Sequence, residues 1–141
     1  MTLTENLAAQ QPFVWPSRVY YEDTDTSGVV YHANYLKYFE RACTEWLRSL
    51  GVGQEVLKRE YGTVFALRHL EVDYLRAAHL DDLLDVSVAP VDSKRASFTL
   101  DQEARRKGEL IARARVKVAC LGFPGFAPRV LPAFLKQLLP A

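Results

Sequence analysis

Asp25 and His32 stand seven residues apart across a short polar turn, in the run Arg18-Val19-Tyr20-Tyr21-Glu22-Asp23-Thr24-Asp25-Thr26-Ser27-Gly28-Val29-Val30-Tyr31-His32-Ala33-Asn34-Tyr35. An ionised aspartate can attack an electrophilic carbonyl or draw a proton from water. A histidine can orient water, donate to a leaving group, or place its own N–H in an oxyanion site. Tyr21 lies four residues before Asp25, and its hydroxyl could orient the carboxylate or a substrate. Gly28 removes a side chain where a substrate would have to approach closely.

Each residue also has a plainer reading. Asp25 fits a turn or a helix cap, where short polar side chains bond the local backbone. Asp23-Thr24-Asp25-Thr26-Ser27-Gly28 imitates the opening of a calcium loop. The twelfth position of that loop falls on Asn34 instead of a bidentate Glu, which weakens it. His32 could be structural, and Tyr21 could pack as an ordinary aromatic. His69, Glu71 and Asp73 alternate along a strand and read as a solvated face. His79 stands in a loop with Asp81 and Asp82, with nothing further to support a role. On residue chemistry alone, cap and catalyst remain open for Asp25.

The turn must be held by the elements around it. A strand is expected over residues 14–22 and a helix over 34–50. Tyr35, Tyr38, Phe39, Ala42, Cys43, Trp46, Leu47 and Leu50 recur at helical spacing, and Gly51 supplies a stop. The unpaired N–H groups at such a helix start, and its dipole, favour developing negative charge. A short helix is expected over 53–60, then strands over 63–76, 83–91, 95–104 and 109–120. Arg105-Arg106-Lys107-Gly108 reads as the hairpin turn between the last two strands. Prolines at 124, 128 and 132 break the chain before an amphipathic tail bearing Phe134, Leu135, Leu138 and Leu139. One long apolar helix and about five strands predict an α+β fold, with the helix packed on an antiparallel sheet. The far face of the sheet must then be solvated or covered by a partner.

The 141 residues suit one domain, with residues 1–12 as a flexible lead-in and 13–141 as the domain. A net charge of +1 gives no general field toward nucleic acid or an anionic membrane. No apolar run reaches the length of a membrane span. Cys43 and Cys120 are far apart and form no Cys-x-x-Cys pair, so no metal is expected from them. Reduced thiols suit a cytoplasmic location.

The segment resembles the active-site signature of the hydroxybenzoyl-CoA thioesterase-like family. The matching residues are Arg18-Val19, Thr24-Asp25, Gly28-Val29-Val30 and Tyr35. The finer text is similar to the bacterial acyl-CoA thioesterases associated with the Tol–Pal envelope system. Leu80-Asp81-Asp82-Leu83-Leu84 and Val116-Lys117-Val118-Ala119-Cys120 extend the similarity along the chain. Thr26-Ser27 departs from the small residues common before Gly28. The resemblance implies a hotdog fold: a curled antiparallel sheet of about five strands wrapped around one long helix. It implies a homodimer with a continuous sheet, or a homotetramer, with sites at subunit interfaces. It implies Asp25 as the catalytic carboxylate, with Tyr21 and His32 in the same site and Gly28, Val29 and Tyr31 against the substrate.

The function so implied is hydrolysis of acyl-CoA to free acid and coenzyme A without a cofactor. The histidine at position 32 favours aliphatic over hydroxybenzoyl groups. Acyl carrier protein is a further implied partner, and a cytoplasmic place peripheral to the inner membrane is a further expectation. The alternative is a hotdog module that binds acyl-CoA or acyl carrier protein without cleaving it. A hotdog dehydratase finds no His-plus-Glu signature here.

Overall fold

The computed structural model describes residues 12–140, so the lead-in expected over 1–12 lies almost wholly outside the described residues. Five strands form one sheet: β1 (Phe13–Arg18), β2 (Thr63–Tyr74), β3 (Leu83–Lys94), β4 (Ser97–Arg106) and β5 (Glu109–Gly122). They lie in the order β1-β3-β4-β5-β2, every pair antiparallel. The long helix α1 spans Tyr35–Ser49, and two shorter helices, α2 (Gln54–Tyr61) and α3 (Ala133–Leu138), follow. This is the α+β arrangement the residue pattern predicts.

Helix α1 forms because its apolar residues recur on one face. Tyr35, Tyr38, Phe39, Ala42, Trp46 and Leu47 are buried, against Leu84, Val86 and Val88 of β3 and Leu100 of β4 in one core. The helix packs on β1, β3 and β4. Toward β2 and β5 its contacts are sparser. An apolar groove of about 600 Å³ opens there, lined by Leu36, Cys43 and Trp46 of α1 and by Phe65, Leu70 and Val118 of the sheet.

The sheet's other face is charged. Arg115 bonds Asp101 at 2.7 Å and Arg113 bonds Asp73 at 3.0 Å, both across strands. Such exposed pairs add little stability, but they keep the face wet. The β4–β5 hairpin turns where expected, with Lys107 and Gly108 at φ 49° and 82°.

Strict alternation along 109–120 would put Leu110, Ala112, Ala114, Val116, Val118 and Cys120 on the inner face, and β5 departs from it at its start. The register shifts between Ala104 and Arg105, and Ile111 is fully buried while Leu110 is only half-buried. A bulge adds a residue on one strand and turns the following side chains to the opposite face. In the tail, Leu135 and Leu139 are buried but Leu138 is exposed.

Candidate active site

β1 ends at Arg18, four residues sooner than the expected strand, because the chain then bonds a loop instead of a strand. The Val19 N–H donates to the Asp82 carbonyl at 2.9 Å, and the Val19 carbonyl accepts from the Asp81 N–H at 3.0 Å. Residues Tyr21–Asp23 then make one 3₁₀ turn. Asp23 is buried and ties the loop together. Its Oδ2 accepts from the Tyr20 N–H at 2.9 Å. Its carbonyl accepts from the Tyr31 N–H at 2.9 Å and from Asn34 Nδ2 at 2.8 Å.

Between those anchors the chain doubles back. Thr24 and Val30 pair as an antiparallel bridge, and the Asp25 N–H donates to the Val29 carbonyl at 3.0 Å. Gly28 sits at φ 83°, a conformation that favours glycine. A Cβ there would meet nothing within 4 Å. The requirement for glycine at this position is therefore conformational; in the isolated chain it is not a matter of clearance.

Asp25 is exposed at the tip of this loop. Its Oδ1 accepts from the Ser27 N–H at 2.9 Å and from the Ser27 hydroxyl. The Ser27 hydroxyl, then the Ser27 amide, hold the carboxyl below its ordinary value of 3.8, and the charge of nearby His32 adds to them. The turn reading of Asp25 is thus realised in the same geometry that keeps it ionised. The Asp23 carboxylate serves a different turn, so the two aspartates do not act together as the opening of a calcium loop.

His32 begins a second 3₁₀ turn, His32–Asn34, which runs directly into α1. Its ring lies 4.5 Å from the Tyr31 ring and 6.2 Å, edge-on, from Tyr74. Tyr74 also donates its hydroxyl to the His32 carbonyl at 3.0 Å. Among the described residues, no hydrogen bond uses the His32 N–H. It sits at the helix entrance, where an oxyanion donor was expected.

Gly28, Val29 and Tyr31 share this loop with Asp25 and His32, and Tyr31 is 45% exposed. Tyr21 stands on the preceding turn, 82% exposed, and its hydroxyl bonds to nothing among the described residues. It is brought near the loop but not onto Asp25. The sequence reading missed Ser27 as the carboxylate's partner, although Asx turns with a serine two residues on are a known local pattern. It also missed Tyr74, at the end of β2, and Ala78, in the connection to β3. Ala78 donates its N–H to the Tyr35 hydroxyl at 3.2 Å and accepts from the Val30 N–H at 2.8 Å.

A five-stranded antiparallel sheet packed on one long helix defines a hotdog protein. Residues 27–112 match the thioesterase superfamily. The acyl-CoA thioesterase YbgC of Haemophilus influenzae is 44% identical over 124 residues, covering 88% of this chain and 91% of that protein. The acyl-CoA thioester hydrolase YbgC of Escherichia coli is 40% identical over 121 residues, covering 85% and 90%. A crystal structure of a probable thioesterase from Bartonella henselae superimposes with a TM-score of 0.83 at 34% identity, covering 86% of this chain and all of that one. This chain belongs to the thioesterase superfamily, and it is a thioester hydrolase.

Proposed function

We infer that this chain hydrolyses aliphatic acyl-CoA to the free acid and coenzyme A, with Asp25 as nucleophile or general base. The single observation that carries the reading is the Ser27-held Asp25 carboxylate, ionised at the loop that feeds α1. The names and similarity of the YbgC relatives support the coenzyme A thioester as the substrate class.

As general base, Asp25 takes a proton from water while the water oxygen bonds the thioester carbon. The C–S bond then breaks, and the proton passes to the departing thiolate. As nucleophile, a carboxylate oxygen bonds that carbon, coenzyme A leaves as thiolate, and water cleaves the resulting anhydride. In both routes the carbonyl oxygen gains charge, which the His32 N–H at the helix entrance stabilises in this reading by donating a hydrogen bond. No metal or redox cofactor is required, because a thioester is already activated.

The groove beside α1 is mostly apolar, which suits an aliphatic chain, and its lining begins at Leu36, just past the Asp25–His32 segment. Lys37, Glu40, Arg41 and Gln54 also stand along it, and Cys43 donates to Gln102 at 3.3 Å. A second copy of the chain completes the site in this reading. Asp25 lies open to solvent in one chain, where a charge is too well hydrated for strong catalysis. Among the described residues β2 lies at one edge of the sheet and pairs only with β5, so its other side can extend the sheet into a partner.

A panel of acyl-CoA and acyl-carrier-protein thioesters, followed by thiol release, tests the reading. Turnover of aliphatic acyl-CoA that disappears in Asp25→Ala supports it. Tight binding of every thioester without turnover would replace it with a binding module.

A further inference from the structure

Three hydrogen bonds meet on two consecutive peptides between β2 and β3. The Ala77 carbonyl accepts from Arg106 Nη1 at 3.0 Å. The N–H of that same peptide, on Ala78, donates to the Tyr35 hydroxyl at 3.2 Å. The Ala78 carbonyl in turn accepts from the Val30 N–H at 2.8 Å. Tyr35 is the first residue of α1, and Val30 closes the loop that carries Asp25. Ala78 is fully buried, so its peptide cannot exchange these partners for water without opening the core.

The same guanidinium holds a second point on the segment. Arg106 Nη1 lies 2.7 Å from Asp82 Oδ2, and that oxygen also accepts from the His79 N–H at 2.8 Å. His79 pairs with Val29 as an antiparallel bridge. Arg106 Nη2 donates to Glu109 at 3.1 Å, which fixes the guanidinium plane from the other side. Burial opposes ionisation of Asp82, yet the bond from Arg106 keeps its carboxyl below the ordinary value. One arginine therefore clamps residues 77–82, and those residues touch both the Asp25 loop and the helix start.

The geometry points to Arg106 as a positioning residue: it orients the Ala77–Ala78 peptide and, through it, sets the Asp25 loop against the start of α1. A planar fork is needed, because one side chain must serve a carbonyl and two carboxylates at once. A lysine ammonium is a point charge and cannot hold the three acceptors in one plane. The proposal rests on residues 24–35 being the catalytic segment.

The test compares Arg106→Gln, Arg106→Lys and the neighbouring control Arg105→Gln in the full chain. The readouts are kcat and KM on the best acyl-CoA substrate, and amide hydrogen exchange at Val30 and Ala78. Small misplacements of a catalytic group cost up to about a hundredfold. Arg106→Gln should lower kcat by about ten- to a hundredfold with KM little changed, and should speed exchange at both amides. Arg106→Lys should recover only part of the loss, and Arg105→Gln should match wild type throughout. Wild-type kcat in Arg106→Gln, a kcat loss with unchanged Val30 exchange, or an equal loss in Arg105→Gln would each overturn the proposal. If Arg106→Gln does not fold, Arg106→Lys carries the same comparison. If no thioester is hydrolysed, the functional reading fails, while exchange at Val30 and Ala78 still decides the clamp.

Discussion

Ser27 and Asp25 are joined twice at a single oxygen: the Ser27 amide, at 2.9 Å, and the Ser27 hydroxyl both donate to Asp25 Oδ1. Among the described residues Oδ2 has no such bond, so one carboxylate oxygen is held and the other is open. The Ser27 hydroxyl supplies the second donor, which a residue without a hydroxyl at this position would lack.

That pairing sets a pH dependence. Asp25 has a folded-state pKa below its ordinary 3.8, so its contribution to stability is present above the unfolded value and is lost as pH falls through the folded value. Ser27→Ala removes the largest of the lowering effects. The acid limb of the kcat/KM profile should move up toward the ordinary carboxylate range, with activity at neutral pH little changed. An acid limb that stays in place would separate Asp25 from that titration.

Gly28 tests the loop by conformation alone. At φ 83° any side chain is strained, while a Cβ would meet nothing. Gly28→Ala should cost roughly 1–2 kcal/mol in urea unfolding. Gly28→Asn should cost less, since asparagine tolerates the left-handed region.

Tyr74 supports His32 from β2. Tyr74→Phe keeps the ring against His32 and Tyr35 and removes only the bond to the His32 carbonyl. The loss in stability should be about 0.5–1.5 kcal/mol. The fall in kcat should exceed the change in KM, because His32 is displaced while the substrate surface is kept. Equal effects on the two constants would assign Tyr74 to binding.

How much of this could be read from the sequence differs by element. The α1 stripe from Tyr35 to Leu47 was legible because burial on a helix repeats locally. The β4–β5 turn was legible because it requires left-handed backbone, which Gly108 adopts freely. The exit of β1 was not, because Val19 is claimed by Asp81 and Asp82, more than sixty positions away in the chain. The β5 alternation failed at Ile111 because the bulge beside Arg105 has no sequence mark of its own. In the site, Asp25, Gly28 and His32 lie on one continuous segment and their spacing is visible. Tyr74 reaches His32 across 42 positions, and Ala78 reaches Tyr35 across 43, so only the folded sheet brings them together.

Tyr38 carries the one buried side-chain polar atom without a hydrogen-bond partner among the described residues. Burial, and then the neighbouring Asp23 carboxylate, push its pKa upward. Removing an unpaired buried hydroxyl gives up no bond and relieves desolvation. Tyr38→Phe should therefore match or exceed wild-type stability, by up to about 1–3 kcal/mol. A loss of stability would show that the hydroxyl donates to Asp23 in solution.

The central claim is that the Asp25 carboxylate performs the hydrolysis, and thiol release from an aliphatic acyl-CoA by Asp25→Asn tests it most directly. The amide can still accept from Ser27, so the loop should hold and Tm should stay near wild type. The account predicts a fall in kcat of at least about a hundredfold. Turnover within a few-fold of wild type in a folded Asp25→Asn protein would contradict it.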